Sequence, residues 1–448
     1  MREIVRAVFG VVLRVFFRRI EIAGVERVPA DGAVMFVLNH PNGLIDPAVL
    51  LCHAPRPVSF LAKAPLFRMP VIGFCCRALA AIPVHRRQDE GADPAHNRET
   101  FEAARAVLSR GGAIAIFPEG TSHSDSRLRP LKTGAARIAL GAAAGGAPPI
   151  RIVPAGLYYR AKGIFRSAAL LYFGVPFPVE PVRLAPGEEP PAAPVRALTD
   201  AIERALAEVT LQAEQAEALA LVARAQRLLA VTDTTAQTPV PLEQEFALRR
   251  RLVAGYRAAQ AHWPERSTAL AIRIERYEAA LNAAGLDPRQ LVPRRYTLGR
   301  VARYVARAAV FFLLLLPAAL VGMALHYPAY RAVGFVATGL AKGTEDALAS
   351  IKVLAAMLLF PLTWGALALV LWRWRGAAVA LAWLPLGPLT AYAALRFTER
   401  LDRVVGAARA LGLFAFRRWA FLRLVAERAA IQDEVQALGR ELEGAAAS

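Results

Sequence analysis

Cysteine is scarce: Cys52, Cys75 and Cys76 are the only three in 448 residues. So small and odd a number supplies no disulfide framework and no cysteine-based metal spacing. Cys75 and Cys76 sit in an apolar run and are expected as buried thiols, which fits a cytoplasmic setting for the soluble part. Acidic residues are outnumbered, 36 Asp and Glu against 55 Lys and Arg, so the net charge is +19. No nucleic-acid-binding fold or motif accompanies that charge, so nucleic acid is not expected as a partner. Also lacking are an H-E-x-x-H zinc motif and a G-x-S-x-G nucleophile elbow.

Charge is absent altogether from three stretches, 308–327, 353–372 and 377–395. A helix of about 20 residues rises about 30 Å, the thickness of a bilayer core, so these read as membrane segments. They account for most of the excess apolarity, a mean hydropathy of +0.35, which is too high for an ordinary soluble enzyme. Arginines flank them, as expected of a chain meeting anionic lipid headgroups. Arg294, Arg295, Arg300, Arg303 and Arg307 precede the first segment and Arg373 and Arg375 follow the second. With the Arg-rich tail, all ask for the cytoplasmic side. Three full spans cannot satisfy them, whereas two spans and a re-entrant segment can, and Pro385, Gly387 and Pro388 predict a kink in the third.

The N-terminus, MREIVRAVFGVVLRVFFRRI, has arginines interrupting its apolar run and no small-residue cleavage site after it, so it is not expected to act as a signal peptide. On a helical wheel Arg2, Glu3, Arg6, Arg14 and Arg18 share one arc, and Ile4, Val8, Val11, Val12, Val15 and Phe16 fill the other. This predicts an interfacial amphipathic helix over 1–22.

From 33 to 180, short apolar runs alternate with helical patterns. Strands are expected at 33–39, 57–62, 79–84, 113–117, 150–159 and 168–174, and helices at about 95–110 and 131–144. The alternation predicts an α/β domain over 23–230 with a central mixed sheet flanked by helices. A helical run is expected at 195–230 and a linker at 232–241. Within 231–300 the periodicity is helical and no chemical motif appears. Membrane segments fill 301–396, and 397–448 reads as a helical tail.

The chemistry concentrates in two blocks. AVMFVLNHPNGLIDP (33–47) ends a buried-looking strand on His40 and places Asp46 across a turn. A carboxylate accepting from one imidazole nitrogen fixes the tautomer and supports the imidazolium formed when the other nitrogen takes a proton. IAIFPEGTSHSDSRLRPLKTG (114–134) again runs a strand into a turn, with Glu119, Gly120 and then Lys132. Tyr158 and Tyr159 read as sheet packing, and His123 as a turn or substrate-edge residue.

NHPNGLIDP, IPVHR, FPEG and IVPAG occur in this order and spacing. Together they resemble the four motif blocks of the glycerolipid acyltransferases, the glycerol-3-phosphate and lysophosphatidic acid acyltransferase group. The resemblance covers about 30–180. It implies that His40 is the base that deprotonates the acceptor hydroxyl and that Asp46 orients it. It implies that Arg86 binds the acceptor phosphate, aided by Lys63 and Lys132, and that Glu119 and Gly120 shape the acceptor site. Pro154 is implied on the acyl-donor side. The donor would be acyl-CoA or acyl carrier protein, with no metal or redox cofactor, since thioesters are already activated. Membrane lipids are the other partners, and the location implied is the cytoplasmic membrane with the catalytic domain on the cytoplasmic side.

Two departures matter. Five residues, PNGLI, separate His40 from Asp46 where the usual spacing is four, and Ser122 and His123 stand where many lysophosphatidic acid enzymes carry an arginine. Both resemble the subgroup that contains fungal glycerol-3-phosphate/dihydroxyacetone phosphate acyltransferases. The acceptor therefore stays open between glycerol 3-phosphate, its 1-acyl derivative, dihydroxyacetone phosphate and another lysophospholipid. A non-catalytic lipid-binding protein on a relict fold is the alternative from a different class.

Overall fold

The computed structural model describes residues 1–85, 94–185, 188–214, 216–229, 240–286, 298–341 and 345–447. Arg86, Arg294, Arg295 and nearly all of the expected 232–241 linker lie outside them. The chain divides into two units. One holds Met1–Glu214, Pro241–Phe246 and Thr338–Val353; the other holds Gln215–Val240, Ala247–Ala337 and Leu354–Ser448.

The first unit is built on a sheet whose strands are β1 (Arg19–Ala23), β2 (Ala33–Leu38), β3 (Val58–Lys63), β4 (Ile82–Val84), β5 (Ala113–Ile116), β6 (Ile150–Tyr159), β7 (Ala168–Phe173) and β8 (Phe177–Pro178). Their order is β1-β7-β6-β2-β5-β3-β4, with β8 beside β6. The β6–β7 and β6–β8 pairs are antiparallel and the others parallel, so the sheet is mixed. All six residues of β2 are buried. That follows from its place between β5 and β6, where a strand covered on both faces is apolar throughout.

Among the described residues, the α-helices that lie wholly in this unit are α1 (Arg2–Phe16), α2 (Ile45–His53), α3 (Pro70–Ala78), α4 (Pro94–Ser109), α5 (Gly134–Ala144) and α6 (Ala192–Val209). Met35 and Val37 face a core with Ala104 and Leu108 of α4, Ala135, Ala139 and Ala142 of α5, and Ile202 and Leu206 of α6. Phe36 points the other way, as strand alternation requires, and meets the Phe173 ring.

Several expectations change. The N-terminal helix stops at Phe16 because Arg19–Ala23 joins the sheet beside β7. Arg166 closes its last turn, its Nη1 donating to the carbonyls of Arg14, Val15 and Phe17, groups a helix end leaves unpaired. Ile4, Val8, Val11 and Val15 are exposed, but Phe16 is buried and Arg2 donates to the Val58 carbonyl. The apolar face therefore splits, one part held by protein and one left open. Cys75 and Cys76 are only half-buried, because α3 leaves Val71 and Phe74 exposed. The fourth strand shortens to Ile82–Val84, since Leu79 and Ala81 still donate to α3 carbonyls.

The 195–230 run is two helices, α6 and α7 (Ala216–Leu229). α8 (Leu242–His262) starts in the first unit, where Leu242 and Phe246 pack with Tyr158 and Leu170. In the second unit α7, α9 (Pro264–Ala283) and α13 (Arg418–Ala447) share a core that includes Leu228, Ile274, Tyr277 and Phe421. Arg273 pairs there with Glu427 and Glu434.

Three further helices are α10 (Leu298–Ala341), α11 (Glu345–Arg375) and α12 (Ala377–Phe416). Each contains a segment long and apolar enough to cross a membrane: Ala306–Ala341, Leu348–Arg375 and Ala377–Gly406. The third expected segment lies in α12, one continuous helix of 40 residues that carries Pro385 and Pro388 inside it.

Candidate active site

β2 ends at Leu38 because Asn39 replaces its next main-chain rung with a side chain. The Asn39 amide donates to the Leu157 carbonyl at 3.1 Å and accepts from the Leu157 N–H at 2.7 Å. This frees the chain to turn while keeping His40 tied to the carboxyl end of the central strands, the edge where open α/β sheets bind ligands. Gly43, at φ 43°, makes the turn, a conformation glycine adopts without strain. The turn returns Asp46 in the first turn of α2.

His40 Nδ1 lies 2.8 Å from Asp46 Oδ2. The Asp46 side chain is 0% exposed and that of His40 is 15% exposed. Asp46 also accepts from the Asn42 N–H at 2.7 Å and the Tyr159 hydroxyl at 2.6 Å. Burial, then the Asp46 charge, push the Tyr159 phenol well above its ordinary range, so it stays a donor. With Asp46 ionised, the imidazole carries its proton on Nδ1 and presents Nε2 as a base. Among the described residues no side chain or carbonyl bonds Nε2. The ring lies stacked on Phe117, centroids 4.2 Å apart, which fixes its plane.

A second buried pair holds the His40 backbone. Glu119 accepts the His40 N–H at 3.1 Å and the Arg129 N–H at 2.9 Å, and pairs with His123 Nε2. The His123 N–H donates to the His40 carbonyl at 3.1 Å. His123 Nδ1 accepts the Asp125 N–H at 3.2 Å, so its proton sits on Nε2, facing Glu119. The Arg129 guanidinium holds Asp125 below the usual carboxylate range. Glu119 is thus buried with chain donors on both oxygens, a brace behind His40.

The other expected residues fall as follows. Gly120 has φ +73°, and Lys132 lies across it, its Nζ 2.7 Å from where a Cβ would stand. Lys132 and Lys63 are exposed, and Lys63 ends β3 in register with Val84. Pro154 is buried inside β6 opposite Val37. Arg86 lies outside the described residues. Tyr159, read as packing, is a ligand of Asp46, and Tyr158 donates to the buried Glu245. Nothing in a strand's alternation marks either hydroxyl. Among the described residues no group of three or more His, Cys, Asp or Glu side chains is placed to hold a metal ion.

Residues 19–158 match the model of the acyltransferase family, and 221–445 match that of the glycerol-3-phosphate acyltransferase 2 C-terminal domain. An uncharacterized acyltransferase of Schizosaccharomyces pombe is 27% identical over 88% of this chain and 73% of its own length. Glycerol-3-phosphate O-acyltransferase 2 of Saccharomyces cerevisiae is 29% identical over 60% of this chain, which spans 38% of that protein. A solved 1-acyl-sn-glycerophosphate acyltransferase from Thermotoga maritima covers 46% of this chain and 79% of its own, at 18% identity and a TM-score of 0.34. The second of the two models alone matches half of the chain, and with the first it shows that this chain belongs to the acyltransferase family, its catalytic domain joined to a C-terminal domain of the glycerol-3-phosphate acyltransferase 2 type.

Proposed function

We propose that this chain transfers a fatty acyl group from an acyl thioester to a hydroxyl of glycerol 3-phosphate or 1-acylglycerol 3-phosphate. The observation that carries the reading is His40, aimed by a fully buried Asp46 and offering, at the carboxyl end of the sheet, an Nε2 that no described residue bonds. Nε2 takes the acceptor hydroxyl proton as that oxygen attacks the thioester carbonyl. The imidazolium shares its Nδ1 proton with Asp46, then returns the Nε2 proton to the departing thiolate of coenzyme A or acyl carrier protein as the C–S bond breaks. Positioned proton transfer contributes about 10²–10⁴-fold, and orientation of the two substrates contributes further. Lys63, Lys132 and Arg86 supply the cations for the acceptor phosphate. The match of 221–445 to a glycerol-3-phosphate acyltransferase domain supports glycerol 3-phosphate as acceptor.

The exposed Ile4, Val8, Val11 and Val15 of α1 rest on the leaflet that supplies or receives acyl chains. The arginines beside the apolar segments support a catalytic unit on the cytoplasmic side of the cytoplasmic membrane.

The test is acyl transfer by the full chain in phospholipid vesicles, with labelled acyl-CoA or acyl carrier protein. Each donor is offered glycerol 3-phosphate, 1-acylglycerol 3-phosphate, dihydroxyacetone phosphate or another lysophospholipid. Transfer to one of the first two is expected, lowered about 10²–10⁴-fold by His40→Ala. Preference for a different acceptor revises the substrate, and no transfer to any acceptor by folded, inserted protein overturns the reading.

A further inference from the structure

The first turns of α11 are part of the catalytic unit, which takes in residues through Val353. Ser350 is buried, 7% exposed. Its hydroxyl accepts the Leu44 N–H at 2.9 Å and donates to the Asn42 carbonyl at 3.3 Å. Two residues on, Lys352 Nζ donates to the Gly163 carbonyl at 2.8 Å. These bonds fasten two loops. One is the turn that joins His40 to Asp46. The other follows β6, whose last residue, Tyr159, donates to Asp46.

The turn needs an outside partner. α2 has Leu44 at its N-cap and no side-chain cap of its own, whereas helix starts are usually closed by a nearby hydroxyl or carboxylate. Pro47 in the first turn removes one donor, and among the described residues the Leu44 N–H is met only from α11. Asn42 is 0% exposed, and among the described residues neither polar atom of its side chain has a partner. A turn with an unpaired buried amide holds its shape only if something else fixes it. The five residues between His40 and Asp46 also leave more main chain to be fixed than four would.

We propose that Ser350 is a positioning residue for acyl transfer: from the start of an apolar helix, it fixes the turn that brings Asp46 to His40. The inference rests on the acyl-transfer reading above. It makes α11 a working part of the catalytic centre as well as an anchor.

The test uses the full chain in phospholipid vesicles with acyl-CoA and the acceptor the enzyme prefers. Wild type, His40→Ala, Ser350→Ala, Ser350→Thr and Ser350→Cys are compared by kcat and by both KM values. Ser350→Ala is expected to lower kcat about tenfold, equivalent to about 1.4 kcal/mol, with each KM within about twofold. Ser350→Thr keeps the hydroxyl and stays within about twofold of wild type, and Ser350→Cys, a weaker donor and acceptor, falls between. If Ser350→Ala does not fold, equal kcat for the Thr and Cys variants overturns the proposal. A flat kcat across all three variants, or a change confined to KM or melting temperature, overturns it while leaving acyl transfer intact. A wild type no faster than His40→Ala overturns the acyl-transfer reading and this inference with it.

Discussion

Replacing Tyr159 by Phe removes one oxygen from the centre and leaves its frame standing. The Tyr159 ring stays stacked on Phe17, centroids 5.7 Å apart, so the β6 end keeps its packing. Asp46 Oδ1 loses the donor at 2.6 Å, and among the described residues no other donor reaches it. The carboxylate is 0% exposed, so bulk solvent does not reach it in place of the hydroxyl. An unpaired buried acceptor costs about 1–3 kcal/mol, which spans about 5- to 150-fold if all of it falls on the transition state. Two donors remain on Oδ2, from His40 and Asn42, so the low part of that range applies. We expect Tyr159→Phe to lower kcat about tenfold with KM for the acceptor within about twofold, in the vesicle acyl-transfer assay. Wild-type kcat would refute the reasoning. So would a loss as deep as that of His40→Ala, because then Tyr159 does more than hold Asp46.

Gly156→Ala tests the seam between β6 and α6: an added Cβ would stand 1.7 Å from the Val209 carbonyl oxygen. Because the obstacle is main chain, destabilisation at the upper end of about 1–3 kcal/mol is expected, read as a lower denaturation midpoint, and an unchanged midpoint contradicts the packing. Burial pushes the Cys52 thiol up to about 11 from an ordinary 9.0. Native protein at pH 8 is therefore expected to react with a maleimide at Cys52 far more slowly than unfolded protein, as Cys75→Ser/Cys76→Ser chains would show. The neutral thiol is favoured in the fold, so its contribution to stability is complete below pH 9 and is lost as pH rises toward 11. Equal labelling rates for folded and unfolded chains would count against the burial.

The sheet was legible where one residue pattern had a single interpretation. The ten-residue run IRIVPAGLYY became β6 without a shift at either end, because a long apolar stretch rich in β-branched and aromatic residues suits only a covered strand here. β1 was not, because RIEIA reads as the end of an amphipathic helix until Arg166 and β7 compete for it. α2 was hidden by having no cap residue of its own. In the site, His40 and Asp46 were legible because they are six residues apart and meet through one turn. Tyr159, which bonds Asp46, and Ser350, which bonds the turn between the pair, were not, because each comes from an element distant in sequence and a hydroxyl carries no local signature of its partner. Glu119 was singled out, but its brace to the His40 N–H needs β2 and β5 side by side, a pairing that strand periodicity does not specify.

The bond between Leu44 and Ser350 spans 306 positions of the chain. At about 5–20 residues per second, the ribosome needs about 15–60 s to travel that far. During this time the sheet can close and His40 can take its place on Phe117, while the Leu44 N–H still waits for its acceptor. The catalytic turn is finished only when the second apolar helix has begun to emerge. If Ser350 fixes that turn as proposed, a chain whose second apolar helix has not yet formed would have His40 in place and still work about tenfold more slowly than the finished protein.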